Sequence, residues 1–351
     1  MSENLEKEFR ELWSIGKNSD DVLFGKINSV SVDSKGRVYV SDWDHSSIYV
    51  FSEEGELITE IGRRGEGPGE FIRIGELFVG QGDSLFVHDR QNNIVSLFTP
   101  IDYKFVRRVR FPFLDSYAPY RFIGVTDEGF VVSYTAFLED GADNQLNRIN
   151  PVYMIDRSTG LLIRTSPITT VKNLGSMVIS SRDGAHSMIN NPFHVYPMMR
   201  ISTQEKMYFA QGDTRSISVY NKSGAFGDSL TWEHDLIPFT SNEIRDTLKE
   251  YSRRWRRHMQ KIGVPDFKPA IQTFVVDDLG HVWIQLSSAK GESLSTWIIL
   301  NQAGVELGVM KLPINVRLTV IRNGKSVGIL KSKNGADILI SHAIQQSYKL
   351  R

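Results

Sequence analysis

One unit recurs along this chain: an apolar run, a polar turn that usually carries glycine, and a second apolar run. Val30–Asp42 (VSVDSKGRVYVSD) lines up with Leu77–Asp89, Phe122–Tyr134, Met199–Gln211, Thr273–Gln285 and Leu318–Leu330. Alternation with period 2 over four to eight residues marks half-buried strands. A second pair of runs follows most units, as in IYVFSEEGELI from Ile48 and WIILNQAGVEL from Trp297. Four short antiparallel strands repeated at about 40–50 residues are the signature of β-propeller blades. Six such units predict an all-β, six-bladed β-propeller, a single domain spanning residues 1–351. Two packed sandwiches are the rival all-β arrangement, and they explain neither the even spacing nor the repeated paired turns.

A propeller must close its ring or leave a sheet edge exposed. Phe9–Ile15 (FRELWSI) precedes the first blade and carries Phe9, Leu12, Trp13 and Ile15. It is expected to be the outer strand of the last blade, joining the two chain ends; the bland alternative is a frayed tail. The stretch Ala343–Arg351 is a weaker strand candidate.

Composition narrows the function classes. Lys plus Arg number 41 and Asp plus Glu number 41. This balance argues against a general nucleic-acid or membrane-surface binder, either of which usually shows a basic excess. There is no cysteine, so disulfides and Cys-ligated metals are excluded. No run approaches the roughly 18 apolar residues of a membrane span, and Met1–Arg10 lacks an apolar signal core. An extracytoplasmic location, with a signal segment absent from this chain, is favoured over a cytoplasmic one.

Gly62–Phe71 (GRRGEGPGEF) followed by Leu77–Phe98 resembles the NHL-type propeller repeat. Gly65, Gly67, Pro68, Gly69 and Phe71 carry its first half, and Asp89, Asn92, Ile94 and Phe98 its second. In the first blade Asp42, Ile48 and Phe51 match, and the likeness covers residues 24 to 100 or so. The resemblance implies a bacterial binding scaffold for a ligand or a protein more than a reaction. Relatives that are enzymes suggest an alternative, a metal-dependent hydrolase or lyase of the lactonase or amidating-lyase kind. In the amidating lyases a zinc-binding histidine follows the glycine motif, but here Ile72–Glu76 holds none. In the lactonases calcium sits on oxygen ligands at the inner strands. The positions judged to precede the six inner strands here are Ser29, Glu76, Arg121, Met198, Gln272 and Arg317. One carboxylate with two arginines is a poor cage for a hard cation.

Other motifs point the same way. The Gly62–Gly69 run departs from the phosphate-loop fingerprint at Glu70, and its glycines read as a tight crossing between blades. No cofactor motif occurs. His186 and His194 share one long connection, where they could join a metal site or simply lie at the surface. Asp42, Trp43, Asp44 and His45 gather two carboxylates, an imidazole and a flat aromatic on one loop. Asp42 as a cap on loop amides is the simpler expectation for that cluster.

Loop lengths say more. The first-to-second and third-to-fourth strand turns are uniformly short and lie on one propeller face. The long segments, residues 135–150, 167–196 and 236–269, all belong to the other face, where they would surround the channel mouth as a binding face. The last is expected to be a helical insertion over about residues 240–263, between blades four and five. Thr240 with Glu243 forms a capping box, and Gly263 and Pro265 stop the helix. Ile244, Leu248, Tyr251, Trp255, Met259 and Ile262 form its apolar stripe. Arg253, Arg254, Arg256 and Arg257 crowd the other faces, either as a solvated surface or as a basic lid. The expected function is therefore non-catalytic binding of a polar or anionic small molecule, glycan or protein. The candidate contacts are Glu76, Arg121, Gln272, Arg317, Asp42, Trp43, Asp44, His45, Arg253 and Arg257.

Overall fold

The computed structural model describes residues 9–18, 22–115, 117–140, 145–180, 186–332 and 334–344, without the side chains of 139–140, 145–147, 177, 179–180, 186 and 261–262. Six four-stranded antiparallel sheets follow one another among them. The first holds β2 (Ile27–Val32), β3 (Val38–Asp42), β4 (Ser47–Phe51) and β5 (Leu57–Ile61). The second holds β6 (Ile74–Val79), β7 (Leu85–Asp89), β8 (Ile94–Phe98) and β9 (Phe105–Arg110). The third holds β10 (Ala118–Val125), β11 (Phe130–Asp140), β12 (Gln145–Ile155) and β13 (Thr169–Lys172). A two-stranded hairpin follows, β14 (Ser176–Ser180) and β15 (His186–Asn190). The fourth sheet is β16 (Met198–Ile201), β17 (Met207–Ala210), β18 (Ser216–Tyr220) and β19 (Phe226–Thr231). Two helices come next, α1 (Ser241–Lys249) and α2 (Arg253–Ile262). The fifth sheet is β20 (Thr273–Val276), β21 (Val282–Gln285), β22 (Leu294–Leu300) and β23 (Glu306–Pro313). The last is β24 (Val316–Arg322), β25 (Lys325–Lys331), β26 (Asp337–Ile344) and β1 (Phe9–Ile15).

β1 runs antiparallel to β26, with Phe9 opposite Ile344 and Ile15 opposite Leu339. The core explains why a closed ring is the stable arrangement. Six apolar clusters fill the six seams between neighbouring sheets. Successive residues of a strand point to opposite faces, so one strand feeds two seams. Val38 and Val40 pack towards the last sheet with Ile329 and Leu339, while Tyr39 packs towards the second with Leu85 and Val87. All five residues of β3, and all five of β7, are therefore buried. The glycines of the Gly62–Phe71 crossing behave as expected. Gly62 (φ +80°) and Gly69 (φ +76°) adopt the left-handed region, and a side chain at 62 would strike the ring of buried Phe71.

Three expected loops turn out to be structured. Residues 135–150 are mostly the extension of β11 and β12, each 11 residues long. Residues 167–196 contain β13 and the β14–β15 hairpin, which docks on β12 through Arg148 and Ser176 (2.9 Å). Residues 236–269 hold two helices rather than one. The capping box at Thr240 and Glu243 is present, but helix α1 ends at Lys249 and Ser252 begins a new one. The apolar stripe of Ile244, Leu248, Tyr251, Trp255 and Met259 folds around Phe193 and Phe239. Among the described residues, no helix is long and apolar enough to cross a membrane.

Candidate functional site

The inner strands β2, β6, β10, β16, β20 and β24 line a central channel with a cavity of about 290 Å³. Glu76, Arg121, Arg200, Asp278, Arg317 and Arg322 supply charge to its wall. The sequence reading put Glu76, Arg121 and Arg317 just before their strands. They lie within them, and local irregularities aim them. The pairing register of β6 slips between Ile74 and Leu77, and that of β10 between Pro119 and Arg121. Extra residues of this sort bend a strand and redirect side chains.

Glu76 is not a free carboxylate. His88 Nδ1 lies 3.2 Å from one oxygen and Arg121 Nε 3.3 Å from the other. Burial alone would raise its pKa. The His88 hydrogen bond, then the charges of Arg121, His88 and Arg90, outweigh burial and hold the carboxyl down at about 2. Arg121 is thus partly satisfied.

Arg200 and Arg317 differ. Arg200 donates to Met199 O (2.8 Å) and to Thr273 Oγ1 (3.4 Å), both neutral, and leans over the Phe274 ring. Neither it nor Arg317 has a carboxylate partner within ion-pair distance among the described residues. Burial, then the charges of Arg121 and Arg317, push the Arg200 pKa down to about 9. Arg317 is exposed, yet partial burial also lowers its pKa, with Asp337 opposing and Arg121 adding to the effect. The charges of Arg121, Arg200 and Arg317 thus act on one another in the channel, and of the two carboxylates on its wall, Glu76 and Asp278, only Glu76 pairs with one of the three.

Arg200 was missed by the sequence reading, which chose Met198 as the equivalent position. Met198 is buried in the seam between the fourth and fifth sheets. The signal was available: Arg200 is the one charge in an otherwise apolar four-residue strand. Gln272 borders a neighbouring cleft and donates to Ser287 Oγ (2.6 Å).

That cleft, of about 900 Å³, adjoins the channel at Thr273 and Arg317. Its helical wall is α1, through Glu243, Asp246, Thr247 and Glu250, while Lys268, Lys290 and Lys331 lie on the propeller side. Lys268–Glu243 (2.7 Å) and Lys290–Asp246 (3.2 Å) bind the two walls together. Arg253 and Arg257 of α2 are exposed and line neither channel nor cleft; what α1 turns towards the mouth is acidic. His194 borders the cleft, and the side chain of His186 lies outside the described residues.

The Asp42–His45 cluster divides. Asp42 is fully buried and accepts from the amides of Gly25, Lys26, Asp44 and His45. His45 Nδ1 sits 3.1 Å from Asp42 Oδ2, the oxygen that also accepts from Gly25. Asp89 repeats the device, accepting from Ile72, Arg73, Gln91 and Asn92. Both are loop caps. Asp44 and His45 are exposed, whereas Trp43 lies under Arg73 and Arg90, at 5.0 and 5.7 Å from its ring centre.

Among the described residues, no group of three or more His, Asp or Glu is placed to hold a metal ion. A family model described as a 6-bladed β-propeller matches residues 17–226. No curated protein matches the chain. A solved structure of a DUF4221 family member from Bacteroides vulgatus superposes with a TM-score of 0.54 at 10% identity, covering 96% of this chain and 98% of that one. A protein of Bacteroides fragilis inferred to be exported gives a TM-score of 0.51 at 14% identity, covering 96% of this chain and 94% of that one. At these identities the likeness is one of fold.

Proposed function

We propose that this chain, which belongs to the DUF5128 family of six-bladed β-propellers, binds a carboxylate- or phosphate-bearing ligand in its central channel without transforming it. The observation that carries the reading is Arg200. It is held between Arg121 and Arg317 with neutral hydrogen-bond partners. Arg200 is half-buried, and an anion among three planar forks would supply the countercharge that its neutral partners do not. Arginine suits carboxylate and phosphate because it can bond two oxygens at once. The hydrolase or lyase alternative needs converging metal ligands, which the described residues do not bring together. The absence of cysteine agrees with action outside the cytoplasm.

Citrate is a suitable compact probe. It should raise the melting temperature, since anything binding only the native state stabilises it. The paired substitution Arg200→Met with Arg317→Met should weaken citrate by about tenfold or more, since a charge-assisted hydrogen bond contributes roughly 1.5–3 kcal/mol. Citrate affinity unchanged in that variant would remove the channel from the argument.

A further inference from the structure

The channel charges do not end at the channel wall. Arg73, Trp43, Arg90, Tyr120 and Arg148 form an alternating stack across the first three sheets. The guanidinium of Arg73 sits 5.0 Å from the Trp43 ring centre, and that of Arg90 sits 5.7 Å from it. Arg90 also lies 5.9 Å from Tyr120, and Arg148 lies 4.3 Å from the same ring. Arg148 is buried and anchored by Thr135 and Ser176 hydroxyls. Arg73 and Arg90 make no side-chain hydrogen bond or ion pair with any described residue. A guanidinium held over a ring by cation–π attraction spends none of its N–H donors on it. Two planar donors are thus held in place with their donors free.

None of the five residues lines the channel cavity, but the stack lies beside its wall, where the Arg90 charge acts on Glu76. Tyr120 precedes Arg121 on β10. The stem of Arg90 crosses Gly75, where a side chain would strike its Cγ, and Gly75 precedes Glu76. We propose that Arg73 and Arg90 form a second anion subsite on the rim, continuous with the channel, so that the ligand is an elongated polyanion with one anionic group in the channel and another on the rim. The proposal rests on the channel reading above. It adds a length requirement that a compact anion cannot meet. The recognised chemistry is a row of carboxylates or phosphates along a chain. With guanidiniums already stacked on Trp43 and Tyr120, the stack offers charge rather than bare rings for packing an uncharged sugar.

Two elongated probes separate the sources: a linear tetragalacturonate, bearing carboxylates, and tripolyphosphate. Isothermal titration of the full chain should show at least one binding about tenfold or more tighter than citrate. Arg73→Gln with Arg90→Met should erase that margin and leave citrate as in the parent. Arg73→Gln alone, at an exposed position, should remove part of it if the double variant folds poorly. No margin over citrate for either probe overturns the proposal. An equal loss for citrate and the long probe in the rim variants also overturns it. Failure of the channel reading has a different signature: citrate indifferent to Arg200→Met with Arg317→Met.

Discussion

The carboxylates of the loops and the arginines of the channel are handled in opposite ways. Asp33, Asp42, Asp89 and Asp277 are all buried carboxylates, and each is saturated by its own loop. Asp33 takes the amides of Lys35 and Arg37, the Arg37 guanidinium and the Tyr39 hydroxyl. Asp277 takes the amides of Leu279 and His281, the His281 ring and the Trp283 indole. The fold closes these devices on itself. In the channel Glu76 is paired with His88 and Arg121, whereas Arg200 and Arg317 have no carboxylate within ion-pair distance among the described residues. A protein gains nothing in stability from such an arrangement, because burying charge without a partner is costly. The first kind of group holds the ring together; the second is what the anion-binding proposal rests on.

Breaking a closed device should have the largest effect. Asp42→Ala strands the amides of Gly25, Lys26, Asp44 and His45, which tie the entry of the first sheet to its loop. Loss of a buried acceptor bonded to several donors should cost about 4 kcal/mol, measured by urea unfolding. A variant within 1 kcal/mol of the parent would mean that the cap is ornamental.

A third kind of buried group lies at the closing seam and sharpens the contrast. His342 on β26 stacks on Phe9 of β1 at 3.9 Å between ring centres, and its Nδ1 lacks a hydrogen-bond partner. Burial lowers its pKa from 6.5 to about 4, with Glu11 opposing and Lys17 reinforcing. The folded state therefore takes the proton later than the unfolded state. Stability is full above pH 6.5, falls as the unfolded chain protonates, and levels off below about pH 4. The loss should approach about 3 kcal/mol. His342→Leu should flatten the stability profile between pH 6.5 and 4. An unaltered profile would show that the seam opens for another reason.

Arg200→Met tests the open kind. Removing a half-buried charge that has no carboxylate partner should leave stability unchanged or raise it by about 1 kcal/mol, while citrate binding falls. Destabilisation of several kcal/mol would place Arg200 with the closed devices instead.

The split between these classes also marks what the sequence could say. The six units, the crossing glycines, Asp42 as a cap and the β1 candidate rested on period and turn chemistry, which are local. Arg121 and Arg317 were legible because they stand beside recognisable inner strands. Arg200 was not, since β16 has only four residues and its start cannot be fixed by alternation. Trp43 was singled out for the wrong company: its partners Arg73 and Arg90 come from the second sheet, and only the ring brings them together. Orientation of the helices was equally hidden, because a charge count over residues 240–263 does not reveal a break at Glu250–Ser252.

The smallest effect belongs to that helical pair. α1 and α2 follow one another in the chain and share one apolar cluster, yet they present opposite charge. α1 turns Glu243, Asp246 and Glu250 towards the cleft, and the Lys268 contact, with the Thr240 cap, lowers the Glu243 pKa to about 2. α2 carries Arg253, Arg254, Arg256 and Arg257 exposed. If the channel binds the anion, charges outside the channel and cleft should contribute only through screened, long-range attraction. Arg253→Ala with Arg257→Ala should therefore change citrate affinity less than about twofold at physiological salt. Glu243→Gln, which loosens the Lys268 tie and removes a negative charge from the cleft wall, should tighten citrate slightly. A loss of tenfold or more in the double arginine variant would return α2 to the mouth as a basic lid, and the acidic face of α1 would then need another explanation.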